Sequence, residues 1–136
     1  MNSPLQRSGP EEVHRPRVLV IDDEPLIREV VELILGTHGI PVESVSGGRE
    51  GIRLISARPA EVDIAIIDFT MPDLNGYQTF LELQRVKPDL RVIFLSGHHT
   101  SPELEALSRR GLAAVLAKPF ETSELLTAVL TQGPGG

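Results

Sequence analysis

Val18-Leu19-Val20-Ile21-Asp22-Asp23-Glu24-Pro25 joins an unbroken aliphatic run, an acidic turn and a proline. The run does not alternate with polar residues. A strand built from it is therefore covered on both faces, as in a parallel sheet with helices above and below. The proline then suits the first turn of a helix. Beyond it Leu26, Ile27, Val30, Val31, Leu33 and Ile34 recur at intervals of three and four, and Gly36 supplies a stop. Strand, acid and helix follow one another without a linker.

The same unit recurs along the chain. Ile64–Ile67, Val92–Leu95 and Ala113–Ala117 are further apolar runs, and Pro41–Val45 is a weaker one whose leading proline prefers a sheet edge. Ile52 and Ile55 mark a second helix ending before Pro59. Tyr77, Phe80, Leu81 and Leu83 mark a third, ending before Pro88. Ser101 caps a fourth, which starts with Pro102 and carries Leu104 and Leu107. Leu125, Leu126, Val129 and Leu130 mark the fifth. Strand–helix alternation repeated five times predicts an α/β doubly wound parallel sheet with right-handed crossovers.

The 136 residues suffice for one domain. Gly and Pro crowd the two ends, so residues 1–16 read as a flexible leader, 17–132 as the domain and 133–136 as a flexible tail. Thirteen Lys and Arg against nineteen Asp and Glu leave a net charge of -6. Direct DNA or RNA binding needs the opposite sign, as does an anionic membrane surface. The leader lacks the apolar stretch of a signal peptide, and no run approaches membrane-spanning length. With no cysteine there is no disulfide, thiol catalysis or Cys-based zinc site. The expected compartment is the cytoplasm.

Ligands of doubly wound sheets bind beyond the carboxyl ends of the strands. Chemical residues sit at those ends here. Asp22, Asp23 and Glu24 follow the first run, Asp68 the second, Ser96 and Gly97 the third, and Lys118 and Pro119 the fourth. Any one of these acids or the serine alone reads as a helix cap, and Lys118 alone as a solvated loop residue. Lys118 stands out because the chain has so few lysines among its arginines, and the coincidence at four strand ends points to one site. Asp22, Asp23 and Asp68 repel one another, and a divalent cation relieves that repulsion. Oxygen ligands without His or Cys select a hard ion such as Mg²⁺. An aspartate can attack phosphorus and form an acyl phosphate. Mg²⁺, Lys118 and the Ser96 hydroxyl would then share the charge on the phosphoryl oxygens, and Gly97 leaves room for entry.

These residues resemble the receiver domain of bacterial two-component response regulators, over Arg17–Gln132. The markers are Val18–Pro25, Ile66-Ile67-Asp68-Phe69-Thr70-Met71-Pro72-Asp73-Leu74-Asn75-Gly76, Phe94-Leu95-Ser96-Gly97 and Lys118-Pro119-Phe120. The resemblance implies a flavodoxin-like five-stranded parallel sheet, strand order 2-1-3-4-5, with five helices. It implies that Asp68 accepts a phosphoryl group from a histidine kinase or phosphotransfer protein, with Ser96 as switch hydroxyl and Lys118 on the phosphate. Asp23, Asp68 and the Thr70 carbonyl would hold Mg²⁺ directly, and Asp22 through water. Thr70 and His98 would tune the phosphate lifetime, and Pro119 would follow a cis peptide. Downstream proteins would meet the face of helix four, strand five and helix five, with the chain a monomer or weak dimer. Many receivers carry an aromatic three residues before this lysine. Val115 stands there, which puts the usual serine–aromatic coupling in doubt.

Other readings are weaker on residue grounds. Aspartyl-phosphate phosphatases use Asp-x-Asp after the first strand, which would make Glu24 the acid/base and would need a cap domain. No glycine-rich nucleotide motif follows a strand. His98 and His99 are adjacent and poorly placed for one ion, and Asp73 reads as a turn residue. The filled set of acids, hydroxyl and lysine argues against a degenerate receiver acting only as a binding module. The same sequence also fits a receiver taken from a hybrid sensor kinase. Apart from its own phosphotransfer and dephosphorylation, no enzymatic activity is expected.

Overall fold

Strand and helix alternate in the computed structural model, which describes residues 15–97 and 101–131. The order is β1 (Val18–Ile21), α1 (Pro25–Thr37), β2 (Val42–Val45), α2 (Gly48–Ala57), a 3-10 turn (Pro59–Glu61), β3 (Ile64–Asp68), α3 (Gly76–Val86), β4 (Arg91–Ser96), α4 (Pro102–Arg109), β5 (Ala114–Ala117) and α5 (Thr122–Leu130). The expected tail, most of the expected leader, and His98 and His99 lie outside the described residues.

All pairings are parallel, in the spatial order β2-β1-β3-β4-β5. Ile21 aligns with Val45 on one side and Ile67 on the other, Asp68 with Leu95, and Ser96 with Ala117. This register sets Asp22 level with Asp68 and carries Ser96 and then Lys118 stepwise further along the same carboxyl edge. Side chains alternate across the pleat, so the central strands β1, β3 and β4 each feed two cores. Leu19, Ile21, Ala65, Ile67, Val92 and Phe94 pack with Ile55 of α2, Phe80 and Leu83 of α3, and Leu104 and Leu107 of α4. Val18, Val20, Ile64, Ile66, Ile93, Leu95 and Leu116 pack on the other face with Val31 and Leu35 of α1 and Leu125 and Val129 of α5. Each fully buried Leu, Ile or Val contributes about 1.5–3 kcal/mol.

The structure corrects three expectations. Ala113–Ala117 was expected to be covered on both faces, but β5 is the sheet edge. Ala114, Val115 and Ala117 are exposed and only Leu116 of the strand is buried. The stop at Gly36 moves to Gly39. There φ is 74°, and the Ile40 N–H bonds the Leu35 carbonyl at 2.9 Å. That Schellman turn needs a left-handed residue, which glycine adopts at little cost. Gly111, with φ of 71°, closes α4 in the same way. The apolar stripe of α1 is also wider than its buried face, since Leu26 is 69% and Leu33 70% exposed.

The opposite edge of the sheet is tied by arginines. The Arg17 main-chain N–H and Nε donate to the Asp63 carboxylate at 2.8 and 3.1 Å. The Arg91 guanidinium donates to the carbonyls of Ala128 and Val129 at 3.1 and 3.3 Å, satisfying acceptors in the last turn of α5. Among the described residues no helix is long and apolar enough to cross a membrane.

Candidate functional site

β1 ends in a tight turn that fixes Asp22. Its Oδ1 accepts the Glu24 N–H at 2.8 Å, and its carbonyl accepts from the Arg28 guanidinium at 2.7 Å. The side chain is completely buried, yet Oδ2 has no hydrogen-bond partner among the described residues. Lys118 Nζ stands 3.3 Å from Oδ2, close enough for an ion pair but without hydrogen-bond geometry. Burial pushes the Asp22 pKa up, against the Glu24 N–H and the Lys118 charge. A buried carboxylate oxygen that lacks a hydrogen-bond donor and rests on one ion pair is a costly arrangement, which a further cation would relieve.

Asp68 closes β3 and is also buried. Its Oδ1 accepts the Thr70 N–H at 3.1 Å and lies 3.6 Å from Lys118 Nζ. Burial raises its pKa to about 7, helped by the charge of Asp22 and a hydrogen bond with Asp23, and opposed by Thr70 and Lys118. Asp23 and Thr70 are themselves exposed. The loop after Asp68 is anchored from below. Phe69 N–H bonds the Leu95 carbonyl at 2.9 Å, the Phe69 ring meets Phe94 edge-on at 5.3 Å, and Met71 is buried. The loop hands over to α3 through a capping box between Asn75 and Gln78.

Lys118 reaches over this cluster from the end of β5. Its N–H donates to the Ser96 carbonyl at 2.7 Å, and the Lys118–Pro119 peptide is cis, as the resemblance implied. The ammonium lies 2.9 Å from Glu24 Oε1, in addition to Asp22 and Asp68. Burial works against its charge, but Glu24, Asp22 and Asp68 prevail and hold its pKa above the usual lysine value. Ser96, the last residue of β4, is buried beside it. A side chain at Gly97 would meet nothing within 4 Å.

The expected set Asp22, Asp23, Asp68, Thr70, Ser96 and Lys118 thus lies along one sheet edge. The carboxylates whose oxygens come within 4.8 Å of one another are Asp22, Glu24 and Asp68. Glu24 was not among the expected ligands or phosphate contacts. Its signal in the sequence was its place as the third acid directly after β1, but the contact with Lys118 spans 94 residues. Asp73 does more than turn the chain. Its carboxylate accepts the N–H groups of Gly48 and Arg49 at 3.3 and 3.2 Å, at the start of α2. Its slight burial would raise its pKa, but these donors and the Leu74 N–H outweigh that and hold it below the usual range.

An all-oxygen donor set with one buried oxygen that has no hydrogen-bond partner fits a hard divalent cation. The adjoining ammonium, buried hydroxyl residue and raised carboxylate pKa fit a site that takes a tetrahedral anion next to that cation.

Comparison with known proteins gives the same direction. The family model described as "Response regulator receiver domain" matches residues 18–130. The transcriptional regulatory protein GlrR of Escherichia coli is 32% identical over 117 residues, covering 85% of this chain and 26% of that protein. Sensor kinase CckA of Brucella abortus is 30% identical over 112 residues, covering 82% of this chain and 12% of that one. The crystal structure of a response regulator receiver domain protein from Clostridium thermocellum superposes with a TM-score of 0.75 at 31% identity, covering 84% of this chain and 90% of that chain. The chain spans about a quarter or less of these two curated relatives.

Proposed function

The chain belongs to the response regulator receiver domain family of two-component signalling, and from that premise we propose that Asp68 accepts a phosphoryl group with the help of Mg²⁺. The convergence of buried Asp22, buried Asp68 and Lys118 at one sheet edge carries this reading.

In the transfer, an Asp68 oxygen attacks phosphorus on a donor phosphohistidine. The O–P bond forms as the P–N bond breaks, and its electron pair returns to the imidazole of a histidine kinase or phosphotransfer protein. Lys118 meets the charge on the phosphoryl oxygens, exchanging its contact with Glu24 for one with the phosphate. Ser96 offers a hydroxyl from the adjacent strand. Asp22, Asp23, Asp68 and the Thr70 carbonyl would hold Mg²⁺, which when bound would offset carboxylate repulsion and phosphoryl charge. The chain acts on itself and turns over no separate substrate.

Leu26, exposed in the first turn of α1 directly after Glu24 and Pro25, suits contact with the donor. Output runs through protein contacts at α4, β5 and α5. A shallow depression of about 230 Å³ lies there, lined by Leu104, Glu105, Ser108, Arg109 and Val115. Val115 is 37% exposed and non-aromatic, so readout rests on backbone and α4 shifts. The location would be cytoplasmic, with no direct DNA or membrane contact by this domain. The match to a sensor kinase supports a second setting for the same chemistry, as one receiver within a longer kinase chain.

Acetyl phosphate with Mg²⁺, read on a phosphate-affinity gel, tests the proposal. Wild type should shift and Asp68→Asn should not. A label that survives Asp68→Asn, or that ignores a chelator, would refute it.

A further inference from the structure

We infer that Asp73 is a positioning residue for the phosphoacceptor site, fixing the loop that carries Thr70 by capping a helix distant in sequence. The inference rests on the reading of Asp68 and Thr70 above.

α2 begins at Gly48 with Gly47 as its N-cap, and no side chain of that cap supplies an acceptor. The first N–H groups of a helix are unsatisfied by the helix itself. Asp73 fills this role from the acceptor loop, taking both the Gly48 and Arg49 N–H groups on its two carboxylate oxygens. A negative group at that helix end is favoured by the helix dipole as well.

The contact is built for close approach. A Cβ on Gly47 would stand 2.8 Å from Asp73 Oδ2, and one on Gly48 would stand 3.2 Å from the Leu74 carbonyl. A side chain at Gly47 would press on Asp73, and one at Gly48 on Leu74 and on Thr79 of α3. The inner limb of the loop is held by the Thr70 N–H on Asp68 and the Phe69 N–H on Leu95. Asp73 holds the outer limb. The Thr70 carbonyl, expected to face the cation, follows the inner anchor at its own N–H and precedes the outer one at Asp73. Asp73 itself need not touch ion or phosphate, so its effect passes through Thr70.

Asp73→Ala, Asp73→Asn and Arg17→Ala can be compared with wild type. Arg17→Ala removes an ion pair at the opposite sheet edge and controls for general loss of stability. Calorimetric titration with Mg²⁺ alone gives Kd without any phosphodonor. Wild-type Mg²⁺ binding and acetyl phosphate labelling test the underlying reading separately. Asp73→Ala should weaken Mg²⁺ by about tenfold, as loss of groups orienting a ligand does. At saturating Mg²⁺ its maximal labelling rate should stay within about twofold of wild type, a shift in affinity and not in kcat. Asp73→Asn keeps one acceptor oxygen and should recover part of the affinity. Amide exchange at Gly48 and Arg49 should quicken in Asp73→Ala before any metal is added. An unchanged Mg²⁺ Kd in Asp73→Ala, with wild type binding and labelling normally, would overturn the inference. So would an equal loss of affinity in Arg17→Ala.

Discussion

At pH 8, replacing Asp68 by Asn should make the metal-free protein more stable, and the variant's stability relative to wild type should rise with pH. The ordinary carboxylate value of 3.8 is raised in the fold to about 7. The folded state therefore holds the Asp68 proton over a range where the unfolded chain has released it. Stability from the neutral form is complete below the unfolded value and is lost as pH climbs through the folded one. Each pKa unit corresponds to about 1.36 kcal/mol, so the full cost of the buried charge is about 4 kcal/mol above pH 7. The substitute amide keeps an acceptor for Thr70 but carries its own burial cost of about 1–3 kcal/mol, leaving a net gain of about 1–3 kcal/mol at pH 8. The slope does not depend on that offset. Between pH 4 and pH 7 the variant's advantage should grow by up to about 1.4 kcal/mol per pH unit, then level off. Urea unfolding followed by circular dichroism, in chelator and at half-unit pH steps, measures it. Adding Mg²⁺ at pH 8 should stabilise wild type and narrow the gap. A difference that stays constant with pH, or that shrinks as pH rises, would refute the electrostatic account of the site.

Three more predictions follow from single contacts. Lys118→Met leaves Asp22 and Asp68 facing each other without their cation, and at pH 8 without metal should cost about 3–5 kcal/mol in chemical unfolding. Gly76→Ala puts a Cβ 2.6 Å from the Phe69 Cα, so α3 or the acceptor loop must shift. A loss of about 1–3 kcal/mol in urea, with slower acetyl phosphate labelling, is expected. Ser101→Ala removes the Oγ that accepts the Leu104 N–H at 3.0 Å, and should lower stability by about 1 kcal/mol without changing Mg²⁺ affinity.

The β–α alternation was legible because apolar runs and helical stripes report burial directly. Val18–Ile21 and Ile64–Ile67 are buried throughout, as unbroken runs should be. Ala113–Ala117 looked the same but forms an edge, because run composition does not encode how many neighbours a strand has. Leu26 and Leu33 looked like core, but the periodicity of α1 does not say which part of a wide stripe meets the sheet. Ser101 was readable as a cap because its target is three residues away. Asp73 was not, since its targets lie 24 and 25 residues upstream and only the packing of α2 on the acceptor loop joins them. Glu24 was hidden for the same reason, its partner Lys118 being 94 residues away. Strand-end chemistry is local and can be read; contacts closed by tertiary packing cannot.

The arginine ties at the far edge of the sheet bear on how such a unit joins other proteins. Arg17 leads into β1 from that edge, and Arg91 pins the end of α5 to it. Entrance and exit of the folded core are thus neighbours, on the side facing away from Asp68. Polypeptide attached at either point would start on the far side from the acidic pocket and leave it open to a donor. The geometry suits a plug-in cassette that different chains can carry at either terminus. The phosphorylation proposed for Asp68 would act at the end of the sheet opposite these attachment points.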